Sequence, residues 1–326
     1  MKTRRALLGA VGAGLLLPRF ALAQAARPMQ VMVLFASTPE DDEPANRPFF
    51  EEMRRLGWVE GGNILYERFY GQGMRAYLDG LAKSAVSRTP DLIYATTATI
   101  ALAVMKATDS IPVVFTAASD PVSSGLVESL ARPGRNASGA FQPGGEVVER
   151  RFEIIREIFP GLARIGAVFD RGGTSFTLQK AFHQEAARRN KLAMVATDFT
   201  NYEAVLKILA RFRRDGIVAV AMAPSFTLFS RRRDVTAGAS RSEIALVGHR
   251  VEWSEAGALL SYGAQVADVL QRTAAVANKI LKGARAAEVP VDQATKFELG
   301  INQRVAKALH LTVPKALLAR ADRVFE

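Results

Sequence analysis

From Gln30 onward, short unbroken runs of apolar residues alternate with longer segments in which apolar positions return every three or four residues. The first kind reads as strands buried on both faces, the second as helices that cover them. In the first half this predicts strands over 31–35, 63–69, 92–95 and 111–115, and helices over 49–56, 74–87 and 100–107. After Gly139 the pattern restarts, with helices over 147–158, 175–189, 202–212 and 226–237 and strands over 165–169, 192–196, 217–222 and 244–247. Strands that alternate with helices predict parallel sheets, so the chain reads as two α/β units in succession. No short repeat or low-complexity segment interrupts them.

The strand over 111–115 is followed by a polar loop holding Thr116, Ser119 and Asp120, and then by a turn-rich exit. Asp120-Pro121-Val122, Gly125-Leu126-Val127, Ser129 to Gly134, Asn136 and Gly139 stand there in order, and two further blocks follow later in the chain. These blocks are Gly257 to Gly263 with Lys279 to Gly283, and Pro290-Val291, Thr295 to Leu299, Ile301-Asn302 and Ala306 to Leu309. Together they resemble the ABC-transporter substrate-binding protein family whose better-known members bind aromatic amino acids. The resemblance implies a type I periplasmic-binding-protein fold: two doubly wound parallel-sheet lobes, joined by several hinge crossings and closing on a solute. It also implies a division into an N-terminal lobe, 28–140 plus 258–284, and a C-terminal lobe, 141–257 plus 290–326.

Residues 1–23 read as a cleavable export signal, with Lys2, Arg4 and Arg5 before an apolar run and small residues before a cut at Gln24. The run is too short to span a bilayer, and the paired arginines suit a twin-arginine route as well as a general secretory one. The expected location is therefore periplasmic or extracytoplasmic. Cysteine is absent, which excludes disulfides, thiolate metal sites and thiol nucleophiles. Formal charge is +11; the signal holds four bases and no acid, which leaves +7 spread along the remaining chain. The arginine runs over 211–214 and 231–233 fall in helical segments and read as solvated faces, so nucleic acid is not an expected partner.

Ligands of doubly wound sheets bind outside the carboxyl ends of strands, where helix N-termini offer unpaired N–H groups. In the first unit that geometry selects Ser37 and Thr38, and Thr96 and Thr97, which with the following helix would hold a carboxylate. Asp120 is the candidate partner for an ammonium group; the alternative is an Asx-Pro turn. In the second unit it selects Phe169 as a stacking surface, Asp170, Ser225 and His249, with core packing the alternative for the phenylalanine. The resemblance is weakest at Arg171-Gly172-Gly173 and at Ala223, where relatives tend to carry asparagine-rich sequence and an aspartate. Catalytic signatures and metal-ligand spacing of the three histidines are missing, so no reaction, cofactor or metal is expected. The reading is a monomeric receptor that captures a small-molecule solute, an amino acid or related carboxylate, and delivers it to an ABC permease. A sensory receptor for a membrane kinase or chemoreceptor, and an exported α/β hydrolase, are the alternatives.

Overall fold

A computed structural model describes residues 27–173 and 175–326; the expected export signal lies outside them. The chain begins with β1 (Met29–Phe35), α1 (Pro39–Arg55), β2 (Ile64–Tyr70), α2 (Leu78–Val86), β3 (Leu92–Ala95), α3 (Ala98–Ala107), β4 (Val113–Ala117) and β5 (Ala137–Phe141). It continues with α4 (Gly145–Ile158), β6 (Arg164–Asp170), α5 (Phe176–Arg189), β7 (Ala193–Phe199), α6 (Tyr202–Arg214) and β8 (Ala219–Met222). Next come α7 (Phe226–Ser230), α8 (Arg232–Arg241), β9 (Ala245–Gly248), α9 (Val251–Ala256), β10 (Leu260–Ala264) and α10 (Val266–Leu281). The chain ends with β11 (Asp292–Gln293), β12 (Phe297–Asn302), α11 (Gln303–Ala308), α12 (Lys315–Ala319) and β13 (Arg323–Phe325).

Two sheets result, with strand orders β11-β5-β4-β3-β1-β2 and β13-β12-β10-β9-β8-β6-β7. Each contains the same doubly wound core, β2-β1-β3-β4-β5 in one and β7-β6-β8-β9-β10 in the other, so each has a point where strand order reverses. The alternating faces of β1 show why its residues are apolar from Val31 onward. Met32 and Leu34 join the core under α2 and α3, while Val31, Val33 and Phe35 join the core shared with α1 and α10. In the second lobe Ile165, Ala167 and Phe169 point to one layer, and Val168 to the layer that also holds Val220, Met222 and Trp253.

The return of the chain differs from the expected division. Residues 258–264 do not join the first lobe, because β10 pairs in parallel with β9 and antiparallel with β12 in the second sheet. Only α10 packs on the first lobe, against α1. The segment from 290 likewise starts in the first lobe, where β11 pairs with β5, before β12 enters the second. Among the described residues the chain thus crosses between lobes three times, at 142–144, at 265 and at 294–296.

Two helices also depart from their predicted extents. The helix expected over 226–237 is broken at Arg231 into α7 and α8. In the other direction, α1 begins ten residues earlier than the periodicity predicts, at Pro39, and accommodates Pro44 and Pro48 inside it.

β5 was not foreseen, and its glycine explains the turn-like look of its sequence. A Cβ on Gly139 would lie 2.1 Å from the Phe115 carbonyl oxygen of the neighbouring strand. Gly263 is equally tight, its Cβ position being 2.0 Å from the His249 carbonyl oxygen. Backbone cannot yield there as a flexible side chain would. Gly263→Ala is expected to lower unfolding stability by about 3 kcal/mol or more in urea titration, and a loss under 1 kcal/mol would show that β10 shifts freely.

Arg151 of α4 and His183 of α5 are buried beneath the second sheet. The Arg151 guanidinium donates to the Tyr262 carbonyl at 2.6 Å and has no acid partner among the described residues; burial brings its pKa down to about 9. Burial, with the positive charge of Arg151 second, lowers His183 to about 3 against the Gln179 carbonyl that raises it. An unfolded histidine takes up its proton near pH 6.5, so His183 gives its full stability above that pH and loses it as pH falls toward 3. The loss is about 1.4 kcal/mol per pH unit for each such histidine. Unfolding titrations between pH 7.5 and 5.5 should show stability falling with acidity, and His183→Asn should flatten that slope; an unchanged slope would reject the assignment.

Candidate functional site

The carboxyl ends of both strand-order reversals face one another, and a cleft lies between them. It encloses about 1100 Å³ including its open mouth. Its first wall takes in Ala36 after β1 and Thr96 and Thr97 after β3; its second takes in Gly173 after β6 and Pro224 and Ser225 after β8.

On the first wall, Thr97 is the N-cap of α3: its Oγ1 accepts from the Ile100 N–H at 3.3 Å. The N–H groups of Ala98 and Thr99, in the same first turn, have no acceptor inside the helix. Both residues line the cleft, so this end of α3 offers donors and a positive dipole end to a bound anion. Thr96 lies beside it, its hydroxyl tied to the Leu34 carbonyl at 3.0 Å. Below, a chain of hydroxyls runs from Asn46 through Tyr94 and Thr116 to Thr273, with steps of 3.0, 3.2 and 3.1 Å. It fixes Asn46 and Thr116, which also line the cleft.

Apolar lining comes from both lobes: Phe226 and Phe229 of α7 from the second, Val266 and Leu270 of α10 from the first. Phe229 is itself held, since the guanidinium of Arg250 lies 4.4 Å and that of Arg232 lies 4.9 Å from its ring centre. Arg250 is paired with Glu252. His249 lines the cleft while only 2 % exposed; burial first, then the charges of Arg151 and Arg250, keep it neutral far below its usual pKa.

Of the residues chosen from sequence, Thr96, Thr97, Ser225 and His249 are brought together in these walls. Ser37, Thr38, Asp120, Phe169 and Asp170 are not. Ser37 is buried and donates its backbone N–H to Asp42, and Thr38 sits at the start of α1 without a capping bond. Asp120 accepts from the N–H groups of Val122 and Ser123 at 3.2 and 3.0 Å, which makes it the Asx turn that was the alternative to ligand contact. Phe169 is 1 % exposed and packs edge-on against His183, a core residue.

Asp170 joins the lobes to one another. Its carboxylate accepts from Ser225 Oγ at 2.7 Å, from the Gly172 N–H at 3.0 Å and from Arg75 of the first lobe at 3.1 Å. Arg75 also donates to the Gly172 carbonyl. Further contacts span the gap: Ser119 with Ser175 at 2.9 Å, and Asp41 with Arg232 at 3.3 Å and Arg233 at 3.8 Å. These contacts draw the lobes together over the cleft.

Sequence reasoning missed Asp42, Asn46, Phe229 and the α10 residues in the walls. The α10 residues reach the site only because the chain returns late to the first lobe, which no local pattern encodes. Asp42 and Asn46 belong to the proline-containing start of α1, where Pro39, Pro44 and Pro48 made a helix read as a loop.

Comparison with known proteins agrees with this architecture. A curated tyrosine-binding protein of Clostridioides difficile (strain R20291) is 25% identical over 270 residues, covering 82% of this chain and 77% of that one. A solved conserved domain protein of Vibrio cholerae superposes with a TM-score of 0.84 at 25% identity, over 91% of this chain and all of that one. An ABC domain from Streptococcus pneumonia in complex with L-Trp gives the same TM-score and coverage at 20% identity. The two lobes and their crossings are those of the type I periplasmic binding fold. The family model described as ABC transporter substrate binding protein matches residues 45–325. With its motifs, its fold and this match in agreement, the chain belongs to the ABC transporter substrate-binding protein family.

Proposed function

We propose that this protein is the exported receptor of an ABC importer, that its solute is an amino acid with an aromatic side chain, and that a membrane permease receives it. The observation that carries the reading is the two-sided character of the cleft. The first lobe offers the N-terminus of α3 with Thr97 and Thr99 to a carboxylate; Phe226 and Phe229 of the second lobe, with Val266 and Leu270 of α10 beside them, offer an apolar lining to a ring. Two relatives, one a tyrosine-binding protein and one solved in complex with L-Trp, support the same class of solute.

In this reading the protein works by a shift of population and not by a reaction. A ligand favours the closed form in proportion to the contacts it makes only there, and a solute held between Thr97 and Phe229 touches both lobes. Arg75 and Asp170 then contribute to the closed form without touching the solute.

Thermal unfolding of the protein from Gln24 onward, against tryptophan, tyrosine, phenylalanine, aliphatic amino acids and sugars, tests the solute class. A ligand at 100 times its Kd adds about 2.7 kcal/mol, and the midpoint is expected to rise by a few degrees with aromatic amino acids. A rise confined to sugars, or none with any amino acid, would sink the reading. Arg75→Gln is expected to weaken binding about tenfold, mainly through faster release, while leaving the rank order of solutes intact. Unaltered affinity would mean that the Arg75–Asp170 pair does not hold the closed form.

A further inference from the structure

We infer that Asp42 receives the cationic amine of the solute, so that the cleft selects an α-amino acid over the same molecule without its amine. The inference rests on the amino-acid reading above and names the residue that gives it specificity.

Asp42 is 5 % exposed and lines the cleft one turn before Asn46 on α1. One carboxylate oxygen, Oδ2, accepts from the Ser37 N–H at 2.5 Å. The other, Oδ1, has no hydrogen-bond partner among the described residues, and it is not among the unpartnered polar atoms sealed away from open space. A buried carboxylate is costly unless a cation or donors compensate it. The nearest cations of the second lobe are already engaged: Arg232 lies against Asp41 at 3.3 Å, and Arg250 is paired with Glu252. Burial pushes the Asp42 carboxyl above its usual range, with the Ser37 N–H, Arg232 and Arg250 pulling it down and Asp41 pushing it up. A docked ammonium supplies the compensation that the fold itself leaves incomplete.

Charge placement across the cleft fits a zwitterion. The anion-binding end of α3 and the Asp42 carboxylate lie on the same wall, after neighbouring strands β3 and β1, with the α7 phenylalanines on the other. An amino acid can thus present both charged groups to the first lobe and its ring to Phe226 and Phe229. Asp120, the other aspartate at a strand end in this lobe, has both oxygens engaged in its own turn and is the natural control.

The test is calorimetric titration of wild type, Asp42→Asn and Asp120→Asn with L-tryptophan, L-tyrosine and L-phenylalanine and with their deaminated counterparts, 3-indolepropionate, 3-(4-hydroxyphenyl)propionate and 3-phenylpropionate. Wild type is expected to prefer the amine-bearing member of a pair by about 100-fold, on the scale of a charged hydrogen bond in a buried site. Asp42→Asn, which retains an acceptor for the Ser37 N–H, should remove most of that preference by weakening the amino acid while leaving the deaminated acid within about threefold. Asp120→Asn should leave the ratio as it was. Equal loss for both members of a pair would make Asp42 a structural support of the Ser37 loop and overturn the inference. A wild type that binds these amino acids without preferring them to their deaminated forms overturns it too, independently of whether the variant folds. If none of the three amino acids binds, the amino-acid reading falls and this inference with it.

Discussion

The carboxylate of Asp268 ties together the crossings on which a two-lobed receptor depends. Its Oδ2 accepts from the Thr295 and Lys296 N–H groups at 3.0 and 3.3 Å and from Arg272 at 3.0 Å. Asp268 opens the helix that has just entered the first lobe, while Thr295 and Lys296 are the strip of chain leaving it. Gln265 N–H adds a bond to the Lys296 carbonyl at 2.8 Å, so the second and third crossings run as a bonded pair. Arg272 extends the tie to Asp292 and Thr295. Burial alone would raise the Asp268 carboxyl, yet Arg272 and the two backbone donors hold it below its usual range. A charge is therefore kept at the hinge, where water would otherwise compete for these donors.

Around that tie, Ala140, Ala264, Val269 and Ala294 form a small core of their own, with Phe297 against it. Residues of little bulk suit strips of backbone that lie close together, and they separate the larger cores of the two lobes. The layers of helix and sheet in each lobe otherwise pack into their own cores, with Phe226 of α7 reaching into that of the first lobe. The cleft inherits its shape from the same arrangement: it lies beyond the carboxyl ends of two sheets wound in the same order, with α10 returned to the first lobe to supply its apolar flank.

Much of this was legible because buried parallel strands announce themselves as unbroken apolar runs, and because function in such sheets gathers at strand ends. The rule located the loops correctly but could not say which side chain in a loop turns toward the cleft. After β3 it led to Thr96 and Thr97, which line the walls; after β4 it led to Asp120, whereas Ser119, one residue earlier, is the one that reaches across to Ser175. After β6 it led to Asp170, which faces Arg75 and Ser225. The start of the segment 258–284, assigned to the first lobe through the resemblance, instead joins the second sheet as β10; its antiparallel pairing with β12 is a long-range contact that no local pattern encodes. Asp42 was hidden by local chemistry, since three prolines within ten residues argue for a loop unless the surrounding fold supports a helix.

The motif residues Gly139 and Gly263 stand where the backbone of an adjacent segment leaves no room for a single additional carbon. A signature built on such positions records the architecture. The residues that line the cleft, Asp42, Phe229 and Arg250 among them, lie outside those glycine-rich blocks. The motif therefore marks how the strands and crossings pack, while the surface offered to a bound molecule is built from other segments of the chain.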